Sequence, residues 1–166
     1  MQDFFLNFFE SLGNLPREII VFLMSVVPVV ELRGAIPVGA SLGLDTFSTF
    51  LFAVLGNCLP VPFIILLARP LINYLKKTRV LGWFAHWMEK KTEKNRDKIM
   101  KRSAFGLFLF VAIPLPGTGA WTGALCAALL DMRFRFALPS IVGGVFAAGC
   151  IMTVGTEFVK WIIQIF

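Results

Sequence analysis

The sequence predicts an all-α integral membrane protein. It reads as an inverted repeat of two re-entrant helical hairpins, each followed by a transmembrane helix, with an amphipathic cytoplasmic helix between. Three observations predict this. First, hydrophobic residues make up 57% of the 166 and charged residues 16%, against about 45–50% and about 25% in a soluble domain. Second, two of the four long apolar segments are broken near their middles by proline, glycine or charge. Third, the basic residues gather in one polar stretch, as they do in cytoplasmic loops.

Residues 1–16 come first. Phe5, Phe8, Phe9 and Leu12 recur at helical spacing among Gln2, Asn7, Glu10 and Ser11, which predicts a short interfacial helix. The segment lacks a basic start and carries Asp3 and Glu10, so no cleavable signal is expected. Residues 18–44 hold the first broken segment, VVPVVELRGAIPVGA, and residues 46–69 an intact span interrupted only by GNCLPVP. Residues 76–102 are the basic stretch, with ten Lys/Arg against Glu89, Glu93 and Asp97, a local net charge of +7. Trp83, Phe84, Trp87 and Met88 beside those charges predict a helix lying on the anionic inner leaflet. Residues 103–130 hold the second broken segment, VAIPLPGTGAWTGA, and residues 136–166 a second span. Its Gly143, Gly144, Ala147, Ala148 and Gly149 offer a small-residue face for close helix contact, within the chain or between subunits.

A broken segment is either one kinked span or a hairpin that enters and leaves on one side. Charge favours the hairpin. A full crossing by residues 103–130 would put Arg133 and Arg135 outside, against the positive-inside rule. A re-entrant path returns both to the cytoplasmic face, and the outer face then carries few basic groups, Arg17 and Lys160. A displacement of 86 residues lays Phe22 over Phe108, Pro28 over Pro114, Leu44 over Leu130 and Asp45 over Asp131. One crossing separates the two units, so the repeat is inverted, as in many transporters.

Beyond Glu18 at its edge, Glu31 and Arg33 are the only charges inside the first broken segment. Ionisable groups at membrane depth are costly and normally face a cavity or a partner. A proton- or cation-responsive carboxylate with an arginine counter-ion is one reading. A mutual pair tying the hairpin tip is the other. Pro114, Pro116, Gly117, Thr118, Gly119 and Trp121 form the matching interruption, where exposed backbone groups and a hydroxyl can hold an ion or head group, or simply make a tight turn. Asn57 is polar near mid-span and can serve a site or the backbone freed by Pro60.

Other functional classes find little support. No nucleophile elbow, zinc-ligand pair or phosphate loop occurs, so neither an enzyme, a metal site nor a cofactor is expected. Cys58, Cys126 and Cys150 lie in apolar stretches and read as buried small hydrophobes. His86 lies among the loop charges. The net charge of +6 comes from the stretch that topology explains, so nucleic acid is not an expected partner.

Glu31-Leu32-Arg33-Gly34-Ala35-Ile36-Pro37 and Pro114-Leu115-Pro116-Gly117-Thr118-Gly119-Ala120-Trp121 closely resemble the motifs of the small multi-drug export membrane proteins. That family looks distantly related to the DedA/VTT superfamily. The resemblance implies facing re-entrant hairpins, each followed by a spanning helix, in a prokaryotic plasma membrane. The family name implies export of a small molecule, the DedA relatives are associated with proton-dependent transport, and the first motif adds Pro37 to the site residues. The DedA likeness implies lipid-phosphate carrier transport instead, but those relatives place arginines in the second hairpin and PLPGTGAW has none. A third reading is a structural, membrane-organising protein. The partners expected are membrane lipid, a small-molecule or lipid substrate and, for so small a chain, a second copy in a homodimer.

Overall fold

The computed structural model describes residues 15–76, 96–115 and 117–165. The expected interfacial helix over 1–16 and most of the basic stretch lie outside them. Among the described residues the regular structure is wholly helical: α1 (Arg17–Val26), α2 (Glu31–Ser41), α3 (Thr46–Cys58), α4 (Pro60–Lys76), α5 (Arg96–Ala112), α6 (Ala120–Leu129) and α7 (Phe134–Ile165). They form two compact units. The first is Met1–Asn57 with Gly149–Phe166, and the second is Cys58–Ala148.

In the first unit α1 packs along α2. Pro16 suits the start of α1, because its carbonyl accepts the Ile19 and Ile20 N–H groups at 3.0 and 3.2 Å while its own missing N–H costs nothing there. The chain reverses within residues 27–30, and the Val27 carbonyl accepts the Glu31 N–H at 2.9 Å. Pro37 sits inside α2, where it supplies no N–H to the turn before it. The helix ends in a Schellman turn: the Leu44 N–H donates to the Gly39 carbonyl at 3.1 Å and the Gly43 N–H to Ala40 at 3.3 Å. Asp45 then caps α3, its carboxylate accepting the Ser48 N–H at 2.8 Å.

Glycines let these helices touch. A Cβ at Gly56 would strike the Phe22 backbone carbonyl, and one at Gly39 would meet the Thr49 and Val21 side chains at 2.7 and 2.8 Å. Ser25, fully buried, donates its hydroxyl to the Ala53 carbonyl, tying α1 to α3.

In the second unit α6 packs against α4 and α5. It also ends in a Schellman turn, with the Met132 N–H on the Ala127 carbonyl at 2.9 Å and the Asp131 N–H on Ala128 at 3.1 Å. Asp131 takes the left-handed conformation, φ 50°. A Cβ at Gly144 would lie 2.8 Å from the Phe108 carbonyl oxygen and 2.7 Å from the Val111 side chain.

Among the described residues, two helical stretches are long and apolar enough to cross a membrane: Thr46–Ala68, mean hydropathy 2.3, and Phe134–Ile163, mean hydropathy 1.9. At 1.5 Å per residue the shorter is about 35 Å long, against a hydrocarbon core of about 30 Å. Only a third of each is buried. Phe47, Leu51, Leu55, Leu59, Phe63 and Leu67 make an exposed apolar stripe at every fourth residue. A soluble core helix would bury such a stripe, whereas lipid covers it at no cost.

Candidate functional site

Each unit carries one of the two motifs, and each motif sits where a short helix begins. In the first unit Glu31 opens α2. Its side chain is buried, at 6% exposure, although Val29 two residues earlier is 91% exposed. Its backbone adopts φ 49°. A non-glycine residue pays about 1–2 kcal/mol for that conformation, because Cβ crowds the following carbonyl. Such strain persists only where surrounding structure imposes it.

Arg33 is half-buried two residues on, and the Glu31 carboxylate acts on its guanidinium electrostatically. Neither residue is without a partner in the fold. An i, i+2 pair diverges on a regular helix, and the backbone departs from regular helical geometry at Glu31. Pro37, a turn further, is exposed. Asn57, at the other end of α3, is 1% exposed, and among the described residues its side-chain oxygen has no hydrogen-bond partner.

In the second unit the tip is a knot of backbone bonds. The Leu115 N–H donates to the Ile113 carbonyl at 2.8 Å and the Thr118 N–H to the Leu115 carbonyl at 3.1 Å. The Thr118 hydroxyl lies 2.8 Å from the Ile113 carbonyl and 2.9 Å from the Leu115 carbonyl, donating there, and it accepts the Leu115 N–H at 3.3 Å. It therefore closes the turn. Gly117 (φ 81°) and Gly119 (φ 153°) hold conformations that a side chain would oppose. Gly119 precedes α6, and its carbonyl accepts the Gly123 N–H at 2.8 Å. Pro114 and Trp121 are half-buried, and Pro116 lies outside the described residues.

The two motifs thus differ in chemistry. The first presents a buried carboxylate and a guanidinium, the second a self-bonded turn of small residues. Residues 31–151, which begin at Glu31 and contain both tips, match the model of the family described as "Putative small multi-drug export protein". The chain belongs to that family. No curated protein and no solved structure matches it. A small multi-drug export protein is a membrane transporter by kind, and the two apolar spans agree with that. Sequence reading passed over one further polar cluster, the threonines Thr49 and Thr153, whose hydroxyls are buried in the first unit.

Proposed function

We propose that this small multi-drug export protein is a proton-coupled exporter of small molecules, with Glu31 as the coupling carboxylate and Arg33 as its counter-ion. The observation that carries the proposal is the buried Glu31 held in a left-handed conformation at the start of α2. An unpaired buried carboxylate costs several kcal/mol, so its protonation and its pairing with Arg33 are coupled. Adding a proton removes the pull on the guanidinium and frees Arg33 to change partners. Two arrangements of one pair, selected by a proton, are what a coupled cycle requires. The family description supplies export, and nothing in the motifs calls for catalysis.

The re-entrant architecture is part of the same proposal. Helices α1 and α2 have 10 and 11 residues, about 15–17 Å each. Neither crosses a core of about 30 Å, whereas a hairpin of the two reaches its middle and returns. Matching details in the two units support a repeat. Phe22 and Phe108, 86 residues apart, each pack a backbone carbonyl against a glycine, and those glycines, Gly56 and Gly144, are 88 apart. Two extra residues in the second tip account for the difference. The basic stretch 76–102 is assigned to the cytoplasmic face of a prokaryotic plasma membrane.

The test is substrate-driven proton movement in proteoliposomes, with lipophilic cations as probes. Glu31→Gln keeps the shape of the side chain and removes its charge. It is expected to abolish proton movement while the protein remains folded. Proton movement at the wild-type rate in Glu31→Gln sinks the proposal.

A further inference from the structure

Charge bounds the span α7 at both ends. Residues 136–156 carry none, and at 1.5 Å per residue they run for about 31 Å, the thickness of a hydrocarbon core of about 30 Å. A membrane that contains this span therefore has its two surfaces near the two charged ends, and the ends differ. At the far one, Lys160 is neutralised by Glu157, 3.0 Å away. At the near one, Arg133 is half-buried and Arg135 exposed. The Arg135 guanidinium lies over the Phe136 ring, 4.8 Å from its centroid. A ring face holds a cation without cancelling its charge.

More basic residues reach the level of the near end. Within the second unit α6 packs against α5, and α7 follows α6 through the turn at residues 130–133. Thus α5 and α7 start at the same end. A Cβ at Gly144 would meet the Phe108 carbonyl and the Val111 side chain, and one at Gly123 would meet Val111 at 2.6 Å and Ile141 at 3.7 Å, so these residues share one level. From that level back to Lys101 and Arg102 on α5, or to Arg135 on α7, is about 9–15 Å in each case. The first turns of α5 read RDKIMKR, with four basic residues and one acid. Just inside this edge Phe105 and Leu109 on α5 and Leu125 and Leu129 on α6 are exposed.

We infer that this edge of the second unit binds a phospholipid of net negative charge, its phosphate held by Arg133 and Arg135 and its chains lying along the exposed apolar side chains beneath them. Guanidinium groups present paired N–H donors that match a phosphate, and the basic start of α5 adds to the attraction. A free phosphate ion would use the charges and leave the apolar surface unused, so the partner is the lipid. The site uses neither Glu31 nor proton coupling, and either can fail without the other.

Native mass spectrometry of the full chain in detergent micelles tests it, by comparing retention of phosphatidylglycerol with that of phosphatidylcholine. The wild type is expected to prefer phosphatidylglycerol. Arg133→Gln combined with Arg135→Gln is expected to weaken that preference by roughly 30-fold, whereas Lys160→Gln at the other end leaves it unchanged. A preference that survives the double variant belongs to the basic stretch at large and overturns the inference, as does a wild type without preference. Glycerol 3-phosphate retained as firmly as the lipid would reduce the edge to an anion site and overturn it too. Where the double variant does not fold, the wild type is irradiated in nanodiscs with phosphatidylglycerol bearing a diazirine near its head group, and the labelled peptides are mapped. Label concentrated on residues 129–136 supports the site, and equal label around Lys160 overturns it.

Discussion

At Glu31 the chain combines two costs, a buried carboxylate and a left-handed backbone. They can be separated by substitution. Alanine and glycine both delete the carboxylate, but only glycine tolerates φ 49° freely. Glu31→Gly is therefore expected to be more stable than Glu31→Ala by about 1 kcal/mol, the reverse of their order inside a regular helix. Denaturant unfolding of the two variants in detergent measures the difference. Equal stabilities, or alanine the more stable, would mean that Glu31 relaxes to an ordinary helical conformation. The charges at this tip were legible in the sequence, because Glu and Arg are conspicuous in an apolar run. The backbone conformation was not, since it is usual for glycine and asparagine but not for glutamate. Thr49 and Thr153 were equally hidden. A threonine in an apolar helix normally bonds to the carbonyl four residues back, as Thr156 does with Met152, and nothing local distinguishes the two that do not.

Helices meet closely in this protein at a few glycines, and their neighbours decide what each can tolerate. At Gly56 and Gly144 a methyl group would collide with the carbonyls of Phe22 and Phe108, backbone atoms that cannot turn aside. Alanine at either position is expected to destabilise by roughly 1–3 kcal/mol. At Gly106 in α5 and Gly155 in α7 nothing lies within 4 Å of the added carbon, and alanine there should stabilise by roughly 0.5–1 kcal/mol through helix propensity. Thermal unfolding of the four variants reads both signs, and a uniform response would show that helix propensity alone governs these sites. The helices and their breaks followed from proline, glycine and the apolar periodicity. The alignment proposed for the two halves did not follow cleanly. Matching Leu44 with Leu130 satisfies residue identity, whereas the Schellman turns set Leu44 against Met132. Insertions at a turn shift everything after them without changing composition, so a single displacement along the sequence fits only the helices before the tips.

For the whole molecule the open quantity is which face each end occupies, and the first unit constrains it. The Thr46 hydroxyl bonds to Glu157 at 3.0 Å, so the start of α3 and the late turns of α7 lie at one end of that unit. A membrane that contains both spans then holds the turn before α3 and the end of α7 on the same face. The proposed orientation supplies the sign: it places the ten basic residues of 76–102 in the cytoplasm, and one crossing by the apolar stretch Thr46–Ala68 would carry the chain there from the other side. With Cys58, Cys126 and Cys150 replaced by alanine, Ser41→Cys and Ile165→Cys are expected to react with a membrane-impermeant maleimide in intact cells. His86→Cys should react only after permeabilisation. Reaction of Ser41→Cys and Ile165→Cys from opposite faces would contradict the Thr46–Glu157 contact and with it the packing of the first unit. Reaction of both only after permeabilisation, with His86→Cys open from outside, would keep that packing and reverse the orientation. Positive charge would then have lost to some stronger determinant, and the direction of the export proposed for Glu31 would reverse with it.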